Sequence, residues 1–192
     1  ASVGAITEAN CHPVDNHTLD NASPKCGIIH TCLNGDIDNY MELKHEYERC
    51  GCLIPQDITT DTKIIPLQIE KYIHQGLDIQ EAFRLAVNDF KGSHAISMHT
   101  DLAPGKIFLA QKGSGQTFFV GIAPDHFIPT SEVYGFVEET AHFIKLDGET
   151  MVKGKSGPTR GQIFTLNQAT AGGLAGINAR WYDLHLVRLE MI

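Results

Sequence analysis

Residues 26–35 read Cys-Gly-Ile-Ile-His-Thr-Cys-Leu-Asn-Gly, and the interpretation of the rest of the chain starts from this segment. Its apolar run favours a short β-strand that stops at the turn-forming pair Asn34-Gly35. A strand ending in Asn-Gly presents a side-chain amide and a backbone N–H at one edge of a sheet. Both groups can donate hydrogen bonds to a developing oxyanion. The pattern by itself favours the simpler alternative, a plain hairpin or strand-to-helix turn.

Three helices are predicted after this strand from the helical spacing of apolar residues. They cover residues 37–49, residues 62–75 and a third segment whose apolar face runs from Ile79 to Phe90. Asp36 is placed to cap the first helix. Asp61 lies at the start of the second, where capping is again the usual role for an aspartate. The alternative for Asp61 is a carboxylate that binds the ammonium group of a ligand.

Short β-rich segments follow the helices, which gives a block of helices and then a block of strands. This order favours a layered α+β architecture over a doubly wound parallel sheet. Gly113-Ser-Gly115 is predicted to be a hairpin turn, since strands flank it and no helix follows to cradle a phosphate. Without a repeat or linker, residues 1–192 are expected to form a single domain. The strands are predicted at residues 94–100, 105–111, 117–122, 142–146, 149–153 and 160–166.

Composition excludes several classes of function. A net charge of −8, with 15 scattered Lys and Arg residues, argues against nucleic acid as a partner. No apolar run reaches the ~20 residues that span a bilayer, so no membrane association is expected. Five cysteines, an odd number, suggest reduced thiols in a cytoplasmic protein. Cys50-Gly-Cys52 has no second ligand pair, and no nucleotide-binding motif occurs, so neither a metal nor a cofactor is expected.

Five segments, taken in order, resemble the class II glutamine amidotransferases, most of all the glutaminase domain of glutamine–fructose-6-phosphate aminotransferase. Residues 1–13 resemble that domain's Arg-Trp-Ala-Thr-His-Gly and Asn-Ala-His-Pro motifs, and Cys32-Leu-Asn-Gly35 resembles its His-Asn-Gly. Thr60-Asp-Thr62 resembles its Thr-Asp-Thr at a helix start. Phe90–Ile96 resembles its change from helix to strands, and Phe127–Ser131 its Phe-Ile-Ala-Ser-Asp stretch. The likeness extends over about residues 1–170.

The resemblance implies an N-terminal-nucleophile hydrolase fold, an αββα four-layer sandwich that is incomplete at its N-terminus. It also implies a mechanism in which an N-terminal Cys, activated by its own α-amine, attacks the side-chain amide of L-glutamine. Asn34 (side chain) and Gly35 (backbone N–H) match the family's oxyanion hole. Asp61 matches the carboxylate that binds the substrate's α-amino group, and Ser2 a Thr that helps to hold its α-carboxylate. His12 matches a motif position and is expected to be structural.

The sequence departs from the family pattern at several positions. Val3 stands where the family often has His, and Leu33 stands where His precedes Asn-Gly. The family's nucleophilic Cys and its Arg-Trp pair have no counterpart before Ala1. The resemblance therefore implies that this chain alone is inactive and that a missing N-terminal segment supplies the nucleophile.

The resemblance also implies partners and leaves alternatives open. The implied partners are L-glutamine, a sugar-phosphate isomerase domain that receives the ammonia, and the missing N-terminal segment; a homodimer is one option for the assembly. The first alternative is another amidotransferase of the family, with a different acceptor. The second is a non-catalytic binding or regulatory domain that keeps the fold. The third is an unrelated α+β protein.

Overall fold

The chain is described by a computed structural model over residues 3–20, 26–149, 161–170 and 172–182. These residues form two compact units. The first runs to Gly92 and includes Ile96–Pro104; the second takes in Ser93–Ala95 and the residues from Gly105 onward. The expectation of a single domain over residues 1–192 stays a prediction. Within the described ranges, no helix has the length and apolar character needed to cross a bilayer.

The first unit is built around one buried helix. Its elements are β1 (Ile29–Gly35), α1 (Tyr40–Arg49), α2 (Ile64–His74) and α3 (Ile79–Asp89). Helix α2 contacts β1, α1 and α3, and its first seven residues are all buried. Pro66 is accommodated because it lies in the first turn, where backbone N–H groups have no partner within the helix. The three predicted helices are thereby confirmed.

The predicted cap of α1 is wrong. The helix begins at Tyr40 rather than next to Asp36, and its N-cap position is Asn39. The backbone N–H of Ile37 donates instead to the carboxylate of Asp61, which holds the chain outside the helix. The Asn39 side chain bonds to backbone at and just beyond the end of α3. Long-range hydrogen bonds, which the local pattern does not contain, therefore set the start of α1.

The second unit consists mainly of antiparallel strands. Strand β2 (His94–Thr100) begins in this unit and ends in the first. Strand β7 pairs on one side with β3 and on the other with β8, and β4 lies between β5 and β6 in a separate sheet. The bounds are β3 Lys106–Lys112, β4 Phe119–Ile122, β5 Phe127–Thr130, β6 Phe143–Lys145, β7 Gln162–Asn167 and β8 Ile177–Trp181.

One hydrophobic cluster joins the two sheets of this unit. In the first sheet, Leu109 lies opposite Phe164, which in turn lies opposite Ala179. In the second, Val120 lies opposite Ile144. All five side chains are at most 5% exposed and belong to the same cluster, so the sheets pack face to face. Helices in one unit and packed antiparallel sheets in the other confirm the α+β class.

The strand predictions hold in part. The predicted hairpin at Gly113-Ser-Gly115 is wrong, because β3 pairs with β7 while β4 pairs with β5 and β6. The chain passes there from one sheet to the other, although both glycines have positive φ values, +80° and +94°. Strands β5 and β8 were not predicted. The strand expected at residues 149–153 lies outside the described residues, except for its first residue.

Candidate functional site

The end of β1 presents the Asn34 amide to solvent. Side chains alternate along the strand, so Ile29, Thr31 and Leu33 are buried while Asn34 is exposed. Among the described residues, none hydrogen-bonds to the Asn34 side chain, which leaves its N–H groups available as donors. Gly35 follows with φ = +114°, a value that side-chain-bearing residues rarely adopt. The backbone conformation at this strand end therefore requires glycine.

Asp61 is fixed beside the loop that follows β1. Its side chain is 2% exposed, and its Oδ2 accepts the backbone N–H of Ile37 at 2.9 Å. Ile37 lies two residues after Gly35, so this hydrogen bond brings the carboxylate to the strand end that carries Asn34. Thr60, not Asp61, is the N-cap of the 3₁₀ turn before α2, because its hydroxyl accepts the N–H of Thr62. The capping role that the sequence pattern favours for Asp61 therefore belongs to Thr60.

The Asp61 carboxylate is buried at a cost in free energy. Burial raises its pKa above the ordinary value, the Ile37 N–H partly offsets this effect, and the nearby charge of Asp36 raises the pKa further. A buried carboxyl with a perturbed pKa is a common sign of a functional site. A cationic group placed against it would compensate the buried charge.

The N-terminal segment packs against the residues just before Asp61. Gly4 has φ = +102°, and a Cβ there would lie 2.9 Å from the backbone nitrogen of Thr60. The next residue, Ala5, donates its N–H to Thr59 Oγ1 at 2.8 Å. Val3 is half-buried and lines a cavity of about 320 Å³ that extends along residues 3–12. Ser2, the other predicted substrate ligand, lies outside the described residues.

Asn10 is a positioning residue that was not identified from the sequence. Its Oδ1 accepts the backbone N–H groups of Thr59 and Thr60 at 2.7 and 2.9 Å. Its Nδ2 donates to Thr7 Oγ1 at 2.8 Å and to the Asp57 carbonyl at 3.1 Å. One side chain thus ties the N-terminal segment to the loop that carries Asp61. The available signal was its place in the Asn-Cys-His-Pro motif, which points to a role but not to its partners.

His12 makes a second link of the same kind. Its Nε2 lies 2.8 Å from Thr62 Oγ1, one residue past Asp61. Burial lowers the pKa of His12, so the neutral imidazole is favoured. Val14 and Thr31 exchange backbone hydrogen bonds of 2.8 and 2.9 Å, which attach the same segment to β1. Three parts of the first unit therefore converge on Asp61: residues 3–14, the end of β1 and the start of α2.

Comparison with known proteins was made by sequence and by structure. No family model matches the chain. It is 34% identical over 152 residues to the glutamine–fructose-6-phosphate aminotransferase (isomerizing) of Methanothermobacter thermautotrophicus, a match covering 79% of this chain and 24% of the relative. The Geobacillus kaustophilus protein of the same name is 31% identical over 171 residues, covering 88% and 26%. The chain thus spans about a quarter of the length of these relatives.

Two solved structures share the fold. The glutamine phosphoribosylpyrophosphate amidotransferase from B. subtilis superimposes with a TM-score of 0.68 at 17% identity, over 96% of this chain and 34% of that one. A structure described as the allosteric regulatory enzyme of purine biosynthesis gives a TM-score of 0.66, also at 17% identity, over 94% and 33%. At this identity the likeness shows the fold alone, and it confirms the predicted fold class.

Proposed function

The chain is a homologue of the class II glutamine amidotransferases, and on that premise we propose that Asn34, Gly35 and Asp61 form part of a site that binds L-glutamine and assists hydrolysis of its side-chain amide. Asp61 takes the α-ammonium group. The Asn34 amide and the Gly35 N–H receive the carbonyl oxygen of the carboxamide. Ser2 contributes to binding the α-carboxylate. No metal or cofactor takes part in this proposal.

The hydrogen bond from Ile37 to Asp61 carries the proposal. It brings together two short motifs, Asn34-Gly35 and Thr60-Asp-Thr62, that lie about 25 residues apart in the sequence. The Asp61 carboxylate is 2% exposed; its Oδ2 accepts the Ile37 N–H at 2.9 Å, and its Oδ1 has only a long hydrogen bond of 3.5 Å from the Thr60 hydroxyl. Such a carboxylate is suited to pair with a single ammonium group. Asn34 lies three residues before Ile37, and its exposed side-chain amide offers N–H donors for the carbonyl oxygen of the substrate.

The chemistry assigned to the strand end is stabilisation of negative charge. When a nucleophile attacks the carboxamide carbon, its carbonyl oxygen gains charge, and two fixed N–H donors lower the barrier. Ammonia then leaves, and water hydrolyses the acyl intermediate to L-glutamate. None of the five cysteines in residues 1–192 is assigned as the nucleophile. We expect this chain alone to release no ammonia from L-glutamine above a protein-free blank, and measurable turnover would contradict that assignment.

The acceptor and location follow from the relatives and so belong to the proposal. The relatives compared above by sequence are fructose-6-phosphate aminotransferases, which favours fructose 6-phosphate as the acceptor and a sugar-phosphate isomerase domain as the partner. The five cysteines are free thiols, which supports a cytoplasmic location. A homodimer remains one option for the assembly.

Calorimetric titration with L-glutamate tests the site, since this product keeps the α-amino group but is not consumed. We expect binding by the native protein and its loss in Asp61→Asn, which removes the negative charge and keeps an oxygen for Ile37. The matched control is Asp57→Asn, an exposed carboxylate four residues earlier in the same loop. Equal affinity in Asp61→Asn and the native protein would overturn the assignment of Asp61.

Val3 favours a second candidate, a non-catalytic ligand-binding or regulatory domain. The family often has His at this position, and an apolar side chain in the cavity wall removes one polar contact. Val3→His, made in the native protein with the segment that supplies the nucleophile present, distinguishes the two functions. If the site is catalytic, restoring the imidazole should leave the native glutaminase rate unchanged or increase it. A native protein that binds L-glutamate but has no glutaminase activity in either form would support the regulatory domain.

A further inference from the structure

A group of potential metal ligands lies at the other end of α2 from Asp61. Glu70 and His74 are four residues apart on the helix, so both side chains project from one face. Cys26, in the loop before β1, lies against them. One ligand atom from each residue falls within 4.8 Å of the other two. Asp61 precedes α2 and His74 is its last residue, so the two are about 20 Å apart along the helix axis and this cluster is distinct from the proposed glutamine site.

Hydrogen bonds hold the carboxylate and the thiol in place. The Cys26 thiol donates to Glu70 Oε1 at 3.1 Å, and Asn16 Nδ2 donates to the same oxygen at 3.2 Å. Asn16 is fully buried, and its Oδ1 accepts the Ile29 N–H at 3.0 Å, which anchors it to β1. Glu70 is itself 6% exposed. Outer hydrogen bonds of this kind orient the ligands in metal sites.

The cluster also borders an open cavity. Glu70 and His74 line a cavity of about 330 Å³ together with Tyr47, Cys50 and Cys52. His74 is exposed, so its ring can rotate toward the other two ligands. Three protein ligands with one position facing a cavity is the arrangement of zinc sites that keep a place for water or another ligand.

We propose that Cys26, Glu70 and His74 bind one divalent transition-metal ion, with Zn²⁺ the best match, and that the fourth ligand enters from the adjoining cavity. A thiolate, an imidazole and a carboxylate together suit Zn²⁺, Co²⁺ or Fe²⁺, whereas Mg²⁺ and Ca²⁺ prefer oxygen ligands alone. Ligand atoms around a tetrahedral zinc ion lie about 3.3–3.8 Å apart. The three atoms here lie within 4.8 Å of one another, so only a small adjustment is needed to complete the geometry. The metal replaces the proton that Cys26 shares with Glu70.

The sequence did not predict this site. Cys26 and Glu70 are 44 residues apart, and the one local signal was the four-residue spacing of Glu70 and His74. The expectation of no metal rested on Cys50-Gly-Cys52, which is a different pair of thiols.

Titration of the purified native protein with Co²⁺, followed by absorption spectroscopy, tests the proposal because a Co²⁺–thiolate bond gives a charge-transfer band. We expect the band to saturate at one equivalent and to disappear in Cys26→Ser. His74→Ala, a change at an exposed position, should weaken binding by about tenfold or more. The matched controls are Cys11→Ser and His45→Ala, both exposed and outside the cluster, which should bind as the native protein does.

Three results would overturn the proposal: no band in the native protein, a band that survives in Cys26→Ser, or equal losses in His74→Ala and His45→Ala. Far-ultraviolet circular dichroism establishes that each variant is folded. Asp61→Asn should keep the full Co²⁺ signal, so failure of the metal site and failure of the glutamine site can be told apart.

Discussion

At the scale of single residues, the binding role proposed for Asp61 comes at a cost in stability. Its folded-state pKa lies above the ordinary value, chiefly because it is buried. Between the ordinary pKa and the raised one, the folded state binds more protons than the unfolded state does. Asp61 therefore lowers stability as pH rises through that window.

Asp61→Asn is accordingly expected to keep or increase the free energy of unfolding at pH 7. The asparagine carbonyl can still accept the Ile37 N–H, and the buried charge is gone. Urea unfolding at neutral pH is the measurement. A loss of more than about 1 kcal/mol would show instead that the carboxylate supports the fold.

Asn34→Ala should change the reaction rate, with little effect on stability or on L-glutamate binding. Because Asn34 is exposed, its removal should change the free energy of unfolding by no more than about 0.5 kcal/mol. If its amide donates to the oxyanion, the glutaminase rate measured with the segment that supplies the nucleophile present should fall by about 10²–10³-fold, with L-glutamate binding little changed. Asn88→Ala, an exposed asparagine on α3, is the control. An unchanged rate in Asn34→Ala would remove this residue from the oxyanion hole.

The residue types of the candidate site were readable from the sequence, but their contacts were not. Asn34-Gly35 and Asp61 were singled out by local pattern and by resemblance. The contact between Asp61 and Ile37 spans 24 residues, so no local pattern contains it. The same limit explains why Asp36 was wrongly predicted to cap α1.

At the scale of elements, the loop before α2 is positioned by segments remote in sequence. Asn10 supplies the acceptor for two successive N–H groups, those of Thr59 and Thr60. Helices α1, α2 and α3 were predicted because their amphipathic pattern is local. Strands β5 and β8 and the passage between sheets at residues 113–118 were missed, because strand pairing depends on partners elsewhere in the chain.

Asn10→Ala should therefore lower the free energy of unfolding by about 2 kcal/mol, because two backbone N–H groups lose their acceptor. It should also weaken L-glutamate binding by displacing Asp61. Asn10→Asp keeps the acceptor for Thr59 and Thr60 but loses the donor to Thr7 and to the Asp57 carbonyl, so it should recover only part of both losses. Chemical denaturation and calorimetry of the two variants supply the measurements. An Asn10→Ala protein as stable as the native one would mean that the loop is held without this side chain.

At the scale of the whole molecule, the response to acid is expected to depend on a buried histidine that takes no part in the candidate site. His94 lies in β2 with no exposed surface, and its Nε2 is 3.0 Å from the hydroxyl of Tyr182, 88 residues away. Burial lowers the pKa of His94 from 6.5 to about 3, and the charge of Lys112 adds to this effect. Protonation therefore favours the unfolded chain.

The sign of the pH dependence follows from this lowered pKa. The contribution of neutral His94 is fully present above pH 6.5 and is lost as pH falls toward about 3. The free energy of unfolding should fall through that window with a slope approaching about 1.4 kcal/mol per pH unit from this group. His94→Gln should flatten the slope. Equal slopes in His94→Gln and the native protein would contradict the assignment.

The most direct test of the proposed function is a crystal structure of the native protein with L-glutamate bound. We expect the α-ammonium nitrogen within about 3.2 Å of an Asp61 carboxylate oxygen, and a γ-carboxylate oxygen within the same distance of the Asn34 amide and the Gly35 N–H. The hydrogen bond from Ile37 to Asp61 should remain in place. L-Glutamate bound elsewhere, with Asp61 contacting only protein atoms, would contradict the proposed function.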